Sequence, residues 1–203
     1  MARIDQEQKH QEQKNKFLMK AQALFAEKGY GSTSMSDIAA ACEVQKATLY
    51  HYFESKEALL FGILECHSQQ KKEDENFCRL FSGTTLEERF YQVAKHHLEE
   101  MDRQEALEFM KILLVETTTS GRMKEYYQKF LRERMEEFTV GVIAPLRKGK
   151  MSEVEMRRLS HQFFACLMHY SWQTRMVGRI DEFVGPEDEY IRRLARLFGR
   201  EGA

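Results

Sequence analysis

Between Ser34 and Leu60 the chain sets two short helical patterns on either side of a brief break, an arrangement that few folds accept. Ser34-Met35-Ser36-Asp37 has the form of a capping box, in which a hydroxyl and an acid three residues on each satisfy the other's free backbone N–H. Met35, Ile38, Ala39 and Cys42 then repeat along one helix face. Glu43-Val44 interrupts them, Gln45 to Tyr52 restarts the pattern, and Ser55 is placed to cap a further helix from Lys56. Two short helices joined by a tight turn make a helix-turn-helix. The second helix of such a unit lies in the DNA major groove while its other face anchors it to the first. This partition accounts for the aromatic run Leu49-Tyr50-His51-Tyr52-Phe53: Leu49 and Phe53 point inward with Leu24, Ile38 and Val44, leaving Lys46, Thr48, Tyr50 and His51 for a nucleic-acid surface. A plain helical core with surface tyrosines fits the same spacing.

Ahead of this unit, Phe17, Ala21, Leu24, Phe25 and Lys28 recur at helical spacing, and Gly29-Tyr30-Gly31 stops that helix. Beyond it the pattern lengthens into helices expected at about 56–80, 86–102, 104–118, 121–148, 152–178 and 187–199. Ser82-Gly83-Thr84-Thr85, Ser120-Gly121 and Gly185-Pro186 punctuate them. With two prolines in 203 residues and abundant helix formers, the expected class is all-α. Residues 1–54 are expected to form the helix-turn-helix domain and residues 55–203 a larger helical domain.

The helix at 152–178 carries two apolar stripes, one of Met156, Leu159, Phe163, Leu167 and Tyr170, the other of Phe164, Met168 and Trp172. The last helix presents Ile191, Leu194, Ala195 and Phe198 on one face. One chain covers one stripe, and a second copy is the simplest cover for the other. A homodimer is therefore expected, with Leu159, Phe163, Leu167, Tyr170, Ile191, Leu194 and Phe198 as interface candidates. A single larger core without a dimer is the alternative.

The formal net charge is −1, and residues 1–54 hold seven basic and seven acidic side chains. Bulk attraction to a polyanion is thus excluded, and DNA affinity has to come from placement. The polar start MARIDQEQKHQEQKNK lacks the apolar centre of a signal peptide, and no segment approaches a membrane span. The expected location is cytoplasmic. Cys42, Cys66, Cys78 and Cys166 are widely separated, without a C-x-x-C pair. The only E-x-x-H, Glu7 to His10, lies in the polar start, and His96, His97, His161 and His169 have no ligand spacing with Cys166. Gly29-Tyr30-Gly31 does not continue into a dinucleotide fingerprint, and there is no G-x-S-x-G elbow. No metal, cofactor or enzymatic activity is expected.

The stretch KGYGSTSMSDIAAACEVQKATLYHYFESKEALL, Lys28 to Leu60, resembles the TetR family of bacterial transcriptional regulators. The likeness covers roughly the first sixty residues; afterwards only the all-helical layout and the paired C-terminal helices agree. The resemblance implies DNA-binding roles for Ser34, Ser36, Gln45, Lys46, Ala47, Thr48, Tyr50, His51 and Lys56. Ser34 would cap the second helix and meet a phosphate, Lys46, Ala47 and Thr48 would face the groove, and Tyr50 and His51 would contact backbone or bases. Lys56 would reach a phosphate from the fourth helix. Three positions depart from the family pattern. Glu43 stands where the turn glycine is common, so the turn is expected to differ slightly. Gln45 is a weaker cap than the usual serine, and Ala47 replaces a frequent glycine.

The resemblance also implies a small effector bound between helices of the larger domain. Met101, Phe109, Leu113, Tyr127, Phe138, Met168 and Trp172 would wall an apolar cavity with His97 and Glu116 as polar anchors, although each also reads as plain core. The chain is expected to be a repressor that binds an inverted-repeat DNA operator as a homodimer and is released by an apolar or aromatic effector. A helical ligand-binding or adaptor protein whose helix-turn-helix no longer reads a site is the competing reading, favoured by the balanced charge of residues 1–54 and by Glu43.

Overall fold

The computed structural model describes residues 2–73, 83–147, 149–178 and 185–200. In chain order the helices are α1 (Ala2–Lys28), α2 (Met35–Ala41), α3 (Lys46–Tyr52), α4 (Lys56–Glu73), α5 (Leu86–Met101), α6 (Gln104–Thr119), α7 (Gly121–Phe138), α8 (Ala144–Arg147), α9 (Glu153–Trp172) and α10 (Glu187–Gly199). Five-residue π-helical stretches, Thr139–Ile143 and Gln173–Val177, follow α7 and α9. The described residues contain no β-strand, and none of their helices is long and apolar enough to cross a membrane. The polar start is not a loose tail: it is continuous with α1. The part of the expected 56–80 helix beyond residue 73, with Cys78 and Ser82, lies outside the described residues.

Capping boxes close the N-termini of α2 (Ser34 with Asp37), α5 (Thr85 with Glu88) and α9 (Ser152 with Glu155). These hydrogen bonds hold the carboxyls of Asp37, Glu88 and Glu155 below the usual carboxylate range. A depressed folded-state pKa means that the caps are complete at neutral pH and are lost as the pH falls through those lowered values.

Two compact units emerge, Met1–Lys72 with Glu108–Lys124, and Glu73–Leu107 with Glu125–Ala203. The first unit holds α4 up to Lys72, beyond the 54/55 boundary expected from the sequence, and takes in most of α6 and the start of α7. Its core gathers Phe17, Ala21, Phe25, Ile38, Leu49, Phe53, Leu59 and Ile63, all buried. The returning hairpin is fastened to α4 at several points. The His67 ring stacks on Phe109 at 4.0 Å, and Arg122 pairs with Glu57 at 2.8 Å while lying 4.8 Å over the Phe61 ring.

In the second unit the centre is aromatic. Phe163 stacks on Phe90 at 4.6 Å and on Phe138 at 5.5 Å, and meets Phe164 and Phe198 edge-on. Beside this stack the Thr139 and Ser160 hydroxyls meet at 2.6 Å. Arg89 donates to the carbonyls of Gly83 and, inside the first π-helical stretch, Val142. Arg175 ties the second stretch to Asp102 and Glu187.

This core takes in residues that the sequence offers as interface candidates. Leu159, Phe163, Leu167, Tyr170, Ile191 and Leu194 are all buried by the chain's own helices, and Phe198 is half-buried against Phe163. A side chain already removed from water has no apolar area left to offer a partner. Of the two stripes on α9 the chain covers the Leu159 stripe, while Val154 and Trp172 stay exposed on the outer face of α9, as does Leu197 on α10.

Candidate nucleic-acid interface

The approach to the helix-turn-helix begins where α1 stops. Gly29 takes a left-handed conformation (φ +84°), its N–H donating to the Phe25 carbonyl, and the chain turns into Tyr30–Thr33. The Thr33 hydroxyl donates back to the Gly29 carbonyl at 2.8 Å, fixing the approach to α2. Ser34 then caps α2: its N–H and hydroxyl both donate to Asp37, and its Oγ accepts from the Asp37 N–H.

Between α2 and α3 the chain turns at Glu43, which is left-handed (φ +58°) despite its side chain. The turn expected to differ from a glycine turn therefore keeps the conformation glycine favours and carries the strain. A non-glycine residue in that region costs about 1–2 kcal/mol, and glycine gives back roughly 0.5–1 kcal/mol in chain entropy. Glu43→Gly is thus expected to stabilise the protein by about 0.5–1 kcal/mol, read as a higher denaturation midpoint; an unchanged or lower midpoint would mean that Glu43 makes a compensating contact.

Helix α3 starts without a side-chain cap, as Gln45 led us to expect. Leu49 is fully buried, whereas Lys46, Ala47, Thr48, Tyr50 and His51 are exposed, together with Gln45, Ser34 and Ser36. The Lys46 ammonium lies 5.8 Å over the Tyr50 ring. Lys46 and Tyr50 form one side of a concavity of about 490 Å³ whose other walls include Ser32, Ser34, Glu54 and Lys56. The structure thus brings eight of the nine nominated residues to the surface of one small unit.

Lys56, the ninth, has a different partner from the one the resemblance gave it. Its ammonium donates to the carbonyls of Tyr30 (2.7 Å) and Thr33 (2.8 Å) and sits 4.3 Å over the Tyr30 ring. It therefore joins the first turn of α4 to the loop that leads into α2. Hydrogen bonds to a charged group contribute about 1.5–3 kcal/mol, less where water competes. Lys56→Met, which keeps the aliphatic stem, is expected to lower stability without DNA by about 1–2 kcal/mol. Equal unfolding curves for the two proteins would return the ammonium to a role on phosphate alone.

Two residues that sequence reasoning left unassigned, His10 of α1 and Tyr52, meet at the last residue of α3. Tyr52, half-buried, has the His10 ring stacked on it and the Phe17 and His51 rings edge-on. The available signal was periodicity: His10 stands seven residues before Phe17, on the same face of α1.

The nominated effector residues are divided between the units. Phe109, Leu113 and Glu116 belong to the first; His97, Met101, Tyr127, Phe138, Met168 and Trp172 belong to the second. Phe138 lies inside the aromatic stack, Met101 and Leu113 are buried, and Trp172 is exposed. The Ser171 hydroxyl donates to the Met168 carbonyl, which leaves the His97 Nε2, 3.2 Å away, to donate to Ser171. Burial pushes the Tyr127 phenol up. A cleft of about 620 Å³ in the second unit is lined instead by Thr85, Tyr91, Leu146, Arg147 and Arg192, and by none of the nine.

Residues 17–63 match the pattern of the bacterial regulatory proteins of the tetR family. The HTH-type transcriptional regulator YuxN of Bacillus subtilis is 44% identical over 62 residues, which are 30% of this chain and 20% of that protein. IcaR of Staphylococcus aureus, a negative transcriptional regulator of the biofilm operon icaADBC, is 40% identical over 53 residues, 26% of this chain and 28% of its own length. The matched segments thus span well under half of these curated relatives. Over nearly the whole chain the fold is shared with AibR, crystallised with isovaleryl coenzyme A and operator DNA: the TM-score is 0.63 at 23% identity, covering 92% of this chain and 98% of that one.

Proposed function

We propose, from the premise that this chain belongs to the TetR family of bacterial regulatory proteins, that it is a transcriptional repressor which binds an inverted-repeat operator as a homodimer and is released by a small effector. The observation that carries the reading is the division of α3, with Leu49 buried and Lys46, Thr48, Tyr50 and His51 exposed around it. Groove-facing polar side chains on a helix anchored from behind are what direct readout needs. The repressor sense is taken from IcaR, described as a negative regulator. With balanced charge on residues 1–54, a dimer offers two short helices about 34 Å apart, the spacing of one DNA turn, so that a few cations act together.

The dimer face we assign to the exposed outer face of α9, where Val154, Ala165 and Trp172 align, with Leu197 of α10. These residues are exposed, and three of them are large apolar side chains. A ligand that prefers the dimer whose reading helices are wrongly spaced weakens DNA binding by its differential affinity, usually about 1–3 kcal/mol. Like the isovaleryl coenzyme A held by AibR, the effector is expected to present an apolar group, met here by residues such as Tyr127 and Met168.

The test is selection of bound sequences from a random DNA pool by the purified protein at moderate salt, with its mass in solution recorded alongside. An enriched inverted repeat and a dimer mass are expected. A folded protein that enriches nothing, and whose DNA binding disappears with salt, would sink operator reading by the free protein in favour of a scaffold role.

A further inference from the structure

We infer that the first fifteen residues of α1, Ala2 to Lys16, which lie ahead of the segment matching the family pattern, belong to the reading unit, and that His10 is a positioning residue for α3. The inference rests on the repressor reading above. Residues 6–12 are exposed, and from this stretch and the turn after it two side chains, His10 and Lys14, reach the C-terminal end of α3. The His10 ring lies 4.4 Å from the Tyr52 ring with only 16° between their planes, and Lys14, one turn on, holds its ammonium 5.8 Å over the Phe53 ring.

Helix α3 needs such help. At seven residues it is far below the length at which a helix persists alone, it begins without a side-chain cap, and Leu49 is its only buried residue. Its last residue, Tyr52, is gripped from two directions: His10 covers one ring face, and Phe17, buried in the core, meets the ring edge-on at 5.0 Å. His51 packs edge-on against the same ring at 5.6 Å. The orientation of the exposed His51, and of the last turn that also carries Tyr50, is thus referred back through Tyr52 to α1. Because one face of the His10 ring already lies on Tyr52, its contribution to DNA reading is to hold that turn in place.

The experiment compares wild type, His10→Ala and His10→Phe for affinity to the selected operator and to mixed-sequence duplex at one salt concentration. Alanine is the best helix former, so α1 persists without the imidazole. An aromatic pair contributes enough to move an equilibrium about two- to tenfold. His10→Ala is expected to weaken operator binding by about that factor, His10→Phe to restore it, and mixed-sequence binding, dominated by phosphate, to move less than twofold in either. Operator affinity untouched by alanine overturns the inference, and so does a phenylalanine variant as weak as alanine, because the imidazole would then be meeting DNA itself. If the wild-type protein selects no operator, the repressor reading fails, and hydrogen exchange still decides the brace. Amides of residues 46–53 should exchange faster in His10→Ala and recover in His10→Phe, and unchanged exchange overturns it.

Discussion

Phe163→Ala is expected to remove about 3–5 kcal/mol of stability, the range for deleting a large aromatic side chain from a packed core. Phe163 has no exposed surface and touches four other phenylalanines, Phe90, Phe138, Phe164 and Phe198, so the void is lined on every side by rings that cannot all close on it. Against a total stability of roughly 5–15 kcal/mol for a typical domain, that loss is large. It also separates the two roles open to the stripe. A side chain in the chain's own core gives the same shift in denaturation midpoint at every protein concentration. A residue at a dimer interface gives a shift that shrinks as concentration rises. A shrinking shift would place Phe163 at an interface between two copies of the chain.

Leu49→Ala is expected to be comparably severe, about 2–5 kcal/mol, but with a different outcome for function. The residue is fully buried, and it is the one side chain by which the body of α3 enters the core. Its removal leaves Lys46, Thr48, Tyr50 and His51 chemically intact. If the reading helix works because it is held rigidly, operator binding should be lost even under conditions where most of the protein remains folded. The check is circular dichroism and operator affinity on the same sample. Retained affinity in a folded Leu49→Ala protein would show that α3 orders itself on DNA, and the anchoring argument would fall.

Much of the helix-turn-helix is legible in the sequence. A period of 3.6 with Leu49 as the inward residue, a capping box at Ser34 and a helix-stopping glycine at Gly29 are local signals, and local signals survive folding. What could not be read were choices among equivalents. Both stripes of α9 are apolar, and the positions of α5, the end of α7 with the π-helical stretch after it, and α10 decide that Leu159 goes inward while Trp172 stays out. Lys56 found backbone carbonyls, which have no side-chain signature in a sequence. His10 stands in a polar start, and its spacing of seven from Phe17 is a weak signal because the residues between them form no apolar stripe. The π-helical stretches after Phe138 and Trp172 left no mark in the pattern either. The caps of α5 and α9, by contrast, were present as Thr85-x-x-Glu88 and Ser152-x-x-Glu155 and could have been found.

The first unit is not one continuous piece of chain: it is completed only by Glu108–Lys124. A ribosome therefore finishes this unit after it has already made α5, and until then Glu57, Phe61 and His67 lack Phe109 and Arg122 as neighbours. The same fact limits engineering. A hybrid regulator made by grafting residues 1–54, or even 1–72, onto another sensor would leave the far side of α4 without its hairpin. A graft that is to keep its own footing has to bring that hairpin along, or replace it with one whose side chains sit equally well on Glu57, Phe61 and His67.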